Sequence, residues 1–407
     1  MFTIIRKAFS WHAISRVLGI AAAIWTARLL GPEKYGISGM VLAGVAQIGL
    51  LGSFVSDLHL VRDYKACQET AAKQKLIETV FSFRLILSLV AIVALVLAEV
   101  AGFVNPVWRL ALWSGLIVCF FQINSPFWVM MAEESVNRYY KIYGMASVLA
   151  VVLTFTVISR ESPAGMDVLI SSLFSIIIFL FGWHYVCKGR IMPRLNIDAQ
   201  LLLKMVKDGR YIAISILLSY VYSGLELPLV GYMLSVHDAG LYQVIMKCVN
   251  SLAPSVMVYV SVIYPRLIDW ADKDSPQSLI KRQHGISLAA LPLMAVATVL
   301  LFVVSPYVVP FLFGAQYAGI AYPLAIRVTS LFVIILGVAY GYGIWAQKND
   351  KQMLVLQFWV CLISLVLNVV LIPRYGMWGA SSVNLMSEVL ITISCFLMCR
   401  RAAREKN

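Results

Sequence analysis

Long apolar stretches separated by short polar segments dominate the sequence. Twelve of them are about 20 residues long, which is enough to cross the hydrocarbon core of a bilayer. They cover residues 9–30, 36–58, 80–100, 107–130, 141–158, 167–187, 211–234, 240–264, 286–304, 322–346, 352–373 and 377–399. None alternates apolar and polar positions as a barrel strand does, and a helix satisfies its own backbone hydrogen bonds within lipid. The pattern predicts an all-α polytopic membrane protein with twelve transmembrane helices.

The composition agrees with this pattern. Apolar residues make up 61% of the 407 residues and charged residues 13%, whereas a soluble domain has roughly half and a quarter. Seven cysteines are scattered, with no C-x-x-C pair and no His/Cys cluster, so we predict neither a metal site nor a disulfide framework. The first stretch contains Arg16 and is longer than the apolar region of a cleavable signal peptide, so we expect a retained span.

Positive charge is distributed unevenly between alternate polar segments. The chain carries 33 Lys and Arg and a net charge of +13, and most of these cations fall in every second segment, beginning with the N-terminus. The opposite segments hold few, namely Arg28, Lys34, Arg109, Arg160 and Arg374. The positive-inside rule therefore predicts that both termini are cytoplasmic. Because topology explains the excess of cations, we expect no nucleic-acid partner.

Two similar polar corners lie half the chain length apart. Leu30–Ile37 separates the first two spans, and Leu234–Leu241 separates the seventh and eighth. Many transporters are built from such repeats. With six spans in each half, both halves keep one orientation and are related by a pseudo-two-fold axis along the membrane normal. We predict an N-terminal six-helix bundle over 1–187, a cytoplasmic linker with an interfacial helix over 188–210, and a C-terminal six-helix bundle over 211–407.

Two corner motifs resemble those of a known family. Ala27–Gly36 resembles the first-span signature of bacterial polysaccharide-repeat flippases of the Wzx type, and Asn368–Ala380 is similar to the corner between the last two spans of that family. The broader exporter superfamily includes multidrug efflux proteins and peptidoglycan-precursor flippases.

The resemblance implies a function and a set of partners. It implies that a polyprenyl-pyrophosphate-linked oligosaccharide repeat unit, O-antigen or similar, is moved from the cytoplasmic to the periplasmic face of the bacterial inner membrane by alternating access. The implied partners are that lipid-linked glycan, the bilayer, and the polymerase and chain-length regulator of the pathway. The resemblance implies no cofactor.

Cations within or near the spans are candidates for the transport pathway. A charge in the membrane is costly, so each one requires a partner or a purpose. Because a pyrophosphate head group must leave water with its negative charge, its carrier needs cations along the path. We expect substrate contacts from Arg16, Arg28, Lys247 and Arg327. Arg84, near the start of its span, is expected to snorkel to water.

Acidic residues within the spans are candidates for coupling. Glu226 and Lys247 each lie about 11 Å below the second corner on successive helices, so they can be neighbours, either as a structural ion pair or as a pair that opens when a coupling ion binds. Pro228 frees the carbonyl of Gly224 beside Glu226, which favours a site for H⁺ or Na⁺. Glu388, near the middle of the last span, is a second candidate.

Two other functions fit the same pattern. An ion-coupled small-molecule or drug exporter of the same superfamily would have similar spans. A glycosyltransferase or polymerase of the pathway is the other, since Asp272-Lys273-Asp274 is a D-x-D motif, although a solvated acidic loop explains three such residues more simply. The longest external segment, 305–321, is apolar and aromatic, and we expect it to be a loop in the membrane interface. Because the D-x-D motif is explained without an active site, we predict no catalytic residue.

Overall fold

The structure is a computed structural model in which helices dominate. It describes residues 2–52, 57–133, 135–188, 193–273, 275–347 and 349–405, and no strand occurs in these ranges. The chain divides into two compact units, Met1–Ile214 and Ser215–Asn407.

Eight helices begin in the first unit. They are α1 (Phe2–Gly52), α2 (Asp57–Ala66), α3 (Thr70–Val100), α4 (Pro106–Ile123), α5 (Phe127–Ala132), α6 (Val136–Val157), α7 (Met166–Val186) and α8 (Ala199–Gly224), the last of which continues into the second unit. The second unit adds α9 (Glu226–Met233), α10 (Val236–Lys273), α11 (Pro276–Phe313), a 3₁₀ helix (Ala315–Ile320), α12 (Ala321–Ala346), α13 (Asp350–Tyr375) and α14 (Met377–Glu405).

These helices coincide with the predicted spans where the structure describes them. Within the described residues, nine segments are long and apolar enough to cross a membrane. Of the three other predicted spans, α1 contains 9–30 and residues 36–52 of the second, and α10 contains 240–264. The fourth and seventh spans are each divided into two consecutive helices, α4 with α5 and α8 with α9. The all-α polytopic fold class is confirmed.

The first corner is a kink inside α1. Gly31 has φ 69° and ψ 171°, a left-handed backbone conformation that favours glycine, and Pro32 begins the next helical segment. The ammonium group of Lys34 donates hydrogen bonds to the carbonyl oxygens of Arg160 at 3.0 Å and Ser162 at 2.8 Å. This lysine of the first motif therefore ties the corner to the connection between α6 and α7.

The last corner is equally short. Gly376, with φ 60°, is the single residue between Tyr375 at the end of α13 and the start of α14. A Cβ atom on Gly379 would collide with the backbone carbonyl of Leu371. The corner thus combines a tight reversal with a close approach of the two backbones, which small residues permit.

The predicted interfacial helix is the N-terminal part of α8. The amphipathic run does not form a separate helix, because α8 continues without a break from Ala199 to Gly224 into the seventh span. Its apolar face packs on the first unit, where Met205 is buried in a cluster with Trp128, Phe179 and Trp183.

Asp198 fixes the start of α8. Its carboxylate accepts a hydrogen bond from the backbone N–H of Leu201 at 2.9 Å and forms an ion pair with Lys75 of α3. The hydrogen bond from Lys75, together with those from the backbone, holds the pKa of Asp198 below its ordinary value. The linker is thus anchored to the first unit at this point.

The expected external loop over 305–321 is helical. α11 extends through Pro306 and Pro310 to Phe313, Gly314 turns the chain with φ 104°, and the 3₁₀ helix leads directly into α12. The aromatic residues that suggested an interfacial loop instead include Tyr317, which is fully buried. The prediction of a loop was wrong for 305–313, because α11 continues through both prolines, whereas the interfacial position of this segment stays a prediction.

Candidate functional site

The seventh span is interrupted beside a buried carboxylate. α8 ends at Gly224 and α9 begins at Glu226, while Leu225 between them keeps right-handed torsion angles (φ −79°, ψ −12°). Pro228 has no N–H with which to bond the carbonyl of Gly224. Glu226 therefore lies at the N-terminal end of α9, where the helix dipole stabilises a negative charge.

Glu226 forms a buried ion pair with Arg327 of α12. The exposed fraction is 0% for Glu226 and 5% for Arg327. Oε2 of Glu226 lies 3.2 Å from Nε of Arg327 and accepts a hydrogen bond of 2.7 Å from the hydroxyl of Tyr242 on α10. Sequence spacing suggested Lys247 as the neighbour of Glu226, and the structure brings Arg327 to it.

The guanidinium of Arg327 links two further polar side chains. Its Nη1 donates to Ser330 Oγ at 2.9 Å and to Asn384 Oδ1 of α14 at 2.5 Å, and both of those residues are fully buried. Additional hydrogen bonds of this kind help to repay the cost of removing a buried ion pair from water. The cluster therefore joins α9, α10, α12 and α14 through one charged centre.

Two polar atoms at this centre have no hydrogen-bond partner among the described residues. They are Oε1 of Glu226 and Nδ2 of Asn384, although the Asn384 amide lies next to the carboxylate. A buried carboxylate oxygen without a donor is energetically costly. Oε1 is therefore an acceptor that the neighbouring Asn384 amide, or another small donor, would satisfy.

Glu388 belongs to the same network. It lies one helical turn beyond Asn384 on α14, is 8% exposed, and its Oε1 accepts a hydrogen bond of 3.2 Å from the hydroxyl of Tyr222 on α8. The positive charge of Arg327 acts on both carboxylates. The two predicted coupling acids and one predicted path cation thus come together within the second unit.

The other predicted path cations lie elsewhere. Arg28 is exposed on α1 just before the Gly31 kink, and Lys247 is half-buried on α10. The side chain of Arg16 lies outside the described residues.

Sequence reasoning missed the neutral members of the cluster, Tyr222, Tyr242, Ser330 and Asn384. The available signal was the spacing of Asn384 and Glu388, which places two polar side chains on one face of the same helix.

Arg84 does not snorkel as expected. It is 5% exposed, and its Nη1 donates to the carbonyl oxygen of Ile123 at 3.3 Å. The break between α4 and α5 leaves this carbonyl without its helical donor, because α4 ends at Ile123. The freed acceptor explains why the guanidinium stays inside the first unit.

Two units of apolar helices, with a charged centre buried among the spans of the second, define a polytopic helical membrane fold. The fold is similar to that of the Lipid II flippase MurJ in an inward closed conformation, with a TM-score of 0.74 and 12% identity over 98% of this chain and 88% of that one. It is also similar to an inward-facing multidrug resistance MATE family transporter, with a TM-score of 0.66 and 15% identity over 96% and 95% of the two chains.

The chain belongs to the polysaccharide biosynthesis protein family, whose profile matches residues 26–322. It is 22% identical over 188 residues to the probable low-salt glycan biosynthesis flippase Agl15 of Haloferax volcanii. This match spans 46% of the chain and 39% of that relative, which is well under half its length. The family resemblance drawn from the two corner motifs is confirmed.

Proposed function

We propose that this protein flips a polyprenyl-pyrophosphate-linked oligosaccharide repeat unit, O-antigen or similar, across the bacterial inner membrane. The observation that carries the proposal is the family match over 26–322 on a fold shared with the Lipid II flippase MurJ. The similarity to Agl15 supports it. In this proposal both termini are cytoplasmic, the mechanism is alternating access, and the polymerase and chain-length regulator of the pathway are partners.

The proposed path cations have different roles. Arg16, Arg28 and Lys247 would contact the pyrophosphate directly, and the exposure of Arg28 and partial exposure of Lys247 support this for those two. Arg327 is held by Glu226 and Asn384. It would reach an anionic head group only after its pair with Glu226 opens.

The proposed coupling step uses the same pair. Binding of H⁺ or Na⁺ at Glu226 would neutralise the counter-charge of Arg327, and a buried guanidinium without a counter-charge favours an anion. The incompletely satisfied Oε1 of Glu226 and the helix break at Leu225, three residues before Pro228, support this position for the ion. Glu388, whose carboxylate interacts electrostatically with the same arginine, would be the second titrating group.

A deletion strain tests the proposal. We expect the lipid-linked repeat unit to accumulate on the cytoplasmic face and the surface polysaccharide to be lost, with both restored by the intact gene. Normal surface polymer without accumulation would refute the proposal. Chemical analysis of the accumulated glycan would identify its sugars and the polymer it serves.

The similarity to the MATE transporter supports a second candidate, ion-coupled export of a small amphipathic molecule. In that case the deletion strain would become sensitive to amphipathic drugs while its surface polymer stayed normal. A pathway enzyme would instead leave a glycan that lacks a sugar or remains unpolymerised. The D-x-D motif that suggested such an enzyme begins at Asp272, in the last turn of α10. Its second aspartate, Asp274, lies outside the described residues.

A further inference from the structure

A groove lies at one end of α13 and α14, apart from the charged cluster. Its volume is about 620 Å³, and its lining includes Lys351, Val355, Leu356, Met398 and Arg401. It opens where the beginning of α13 lies beside the end of α14. Nothing in the proposed translocation step uses it.

Two cations from different helices line the groove. Lys351 is in the first turn of α13 and Arg401 is near the end of α14, and both are exposed. The dipole of α13 disfavours a cation in its first turn, so Lys351 gains no stabilisation from that dipole. Two cations at one site attract an anionic phosphodiester, which an arginine can bind with two parallel hydrogen bonds.

The wall below the cations is apolar and rigidly supported. Leu356 and Met398 pack against a buried cluster that contains Met353, Cys395 and Cys399. This packing fixes α13 against α14, so the groove between them rests on the folded core.

An exposed apolar stripe continues from the groove along α13. Val355 is 51% exposed, and the stripe continues through Phe358, Trp359, Leu362, Ile363, Val366, Val369 and Val370. From Val355 to Val370 it covers about 22 Å, whereas one leaflet contributes about half of a 30 Å hydrocarbon core. An acyl chain that begins at the groove therefore meets apolar protein surface along its whole length.

We propose that the groove binds one anionic diacyl phospholipid, with its phosphodiester between Lys351 and Arg401 and one acyl chain along Val355. Basic pockets between transmembrane helices at the membrane boundary are suited to such head groups. A zwitterionic lipid lacks the net charge, and a soluble phosphate lacks the chain. The site is thus a lipid site separate from the translocated substrate, and it stands independently of the proposed function.

Native mass spectrometry of the purified full-length protein tests the proposal, with titration of dioleoyl phosphatidylglycerol and of phosphatidylcholine carrying the same chains. The test variant is Lys351→Gln with Arg401→Gln. The matched control is Lys281→Gln with Arg400→Gln, which also removes one exposed lysine and one exposed arginine from the second unit, outside the groove. Val355→Trp fills the groove without changing charge.

We expect one phosphatidylglycerol per protein, bound on the order of tenfold more weakly by the test variant and unchanged in the control. Val355→Trp should weaken binding too, and glycerol 3-phosphate should not displace the lipid. Equal losses in both double variants, or equal binding of phosphatidylcholine, would overturn the proposal. Preferential displacement by a polyprenyl pyrophosphate would assign the groove to the substrate lipid instead. Gel filtration of each variant shows whether it is folded.

Discussion

Nε of Arg327 lies 3.2 Å from Oε2 of Glu226, and both side chains are almost completely removed from solvent. The two residues are 101 positions apart in sequence. Their contact links the short helix α9 to α12 and, through Asn384, to α14. The stability of the second unit therefore depends on the charge balance of this pair.

Removing either charge alone should destabilise the protein strongly. Glu226→Gln or Arg327→Gln leaves one buried charge uncompensated, which costs about 3–5 kcal/mol. The double variant Glu226→Gln/Arg327→Gln should recover most of this loss while remaining defective in complementing the deletion strain. Thermal unfolding in detergent measures the first effect and surface polysaccharide the second.

The control for that experiment is the ion pair between Nε of Arg109 and Oε1 of Glu99, 2.7 Å apart, in which the arginine is exposed and the glutamate is half-buried. Single neutralisations there should cost at most about 1 kcal/mol because water screens the charges. Equal losses of stability at the two pairs would show that burial does not make the Glu226–Arg327 pair more costly to break. Full transport by the double variant would exclude a coupling role for Glu226.

The hydroxyl groups of the buried Tyr242 and Tyr222 should contribute differently to the stability of the protein. Tyr242→Phe removes a 2.7 Å hydrogen bond to Glu226, whereas Tyr222→Phe removes a 3.2 Å bond to Glu388. Hydrogen bonds to charged groups contribute about 1.5–3 kcal/mol, and the shorter one should lie at the upper end. Tyr322→Phe, at a 43% exposed ring, should change the unfolding temperature little. A larger loss for Tyr322→Phe than for Tyr242→Phe would contradict this ranking.

Gly379 is needed for the packing of α13 on α14. In Gly379→Ala the new methyl group meets the carbonyl of Leu371, and backbone cannot move aside as a side chain can, so we expect a loss of about 1–3 kcal/mol. Gly285→Ala is the control, because no atom lies within 4 Å of its added Cβ. Helix propensity should make that control neutral or stabilising by up to about 1 kcal/mol. Unfolding in a denaturant series compares the two.

The start of α8 should loosen in acid. Because the Lys75 contact lowers the pKa of Asp198 below 3.8 in the folded state, its stabilisation is complete above that value and is lost as the pH falls below it. Hydrogen exchange of the amides at 199–206 should therefore accelerate below about pH 4 after correction for the intrinsic rate. Asp198→Asn should abolish this pH dependence. Asp208→Asn, at an exposed position of the same helix, should retain the pH dependence. If Asp198→Asn left the pH dependence of exchange unchanged, Asp198 would not be the group responsible.

Local patterns were sufficient for much of the fold. Apolar length predicted where the spans lie, since each helix in lipid must satisfy its own backbone. Gly31 and Gly376 turn the chain at the first and last corners, because only glycine enters the left-handed region without strain. Proline marked the break beside Glu226, since it cannot donate the hydrogen bond that a continuous helix requires. Each of these properties depends on residues within a few turns of one another.

Packing between helices decided the rest. The partner of Glu226, the inward position of Arg84 and the docking of α8 through Met205 depend on which helices meet and how each is rotated about its axis. The period of 3.6 residues relates positions on one helix and carries no information about its neighbours. The sequence alone thus determined that this is a membrane protein of long helices with acidic and basic residues inside them. Only the tertiary structure decided which charges neutralise each other, because that depends on distances of a few ångströms between residues 101 positions apart.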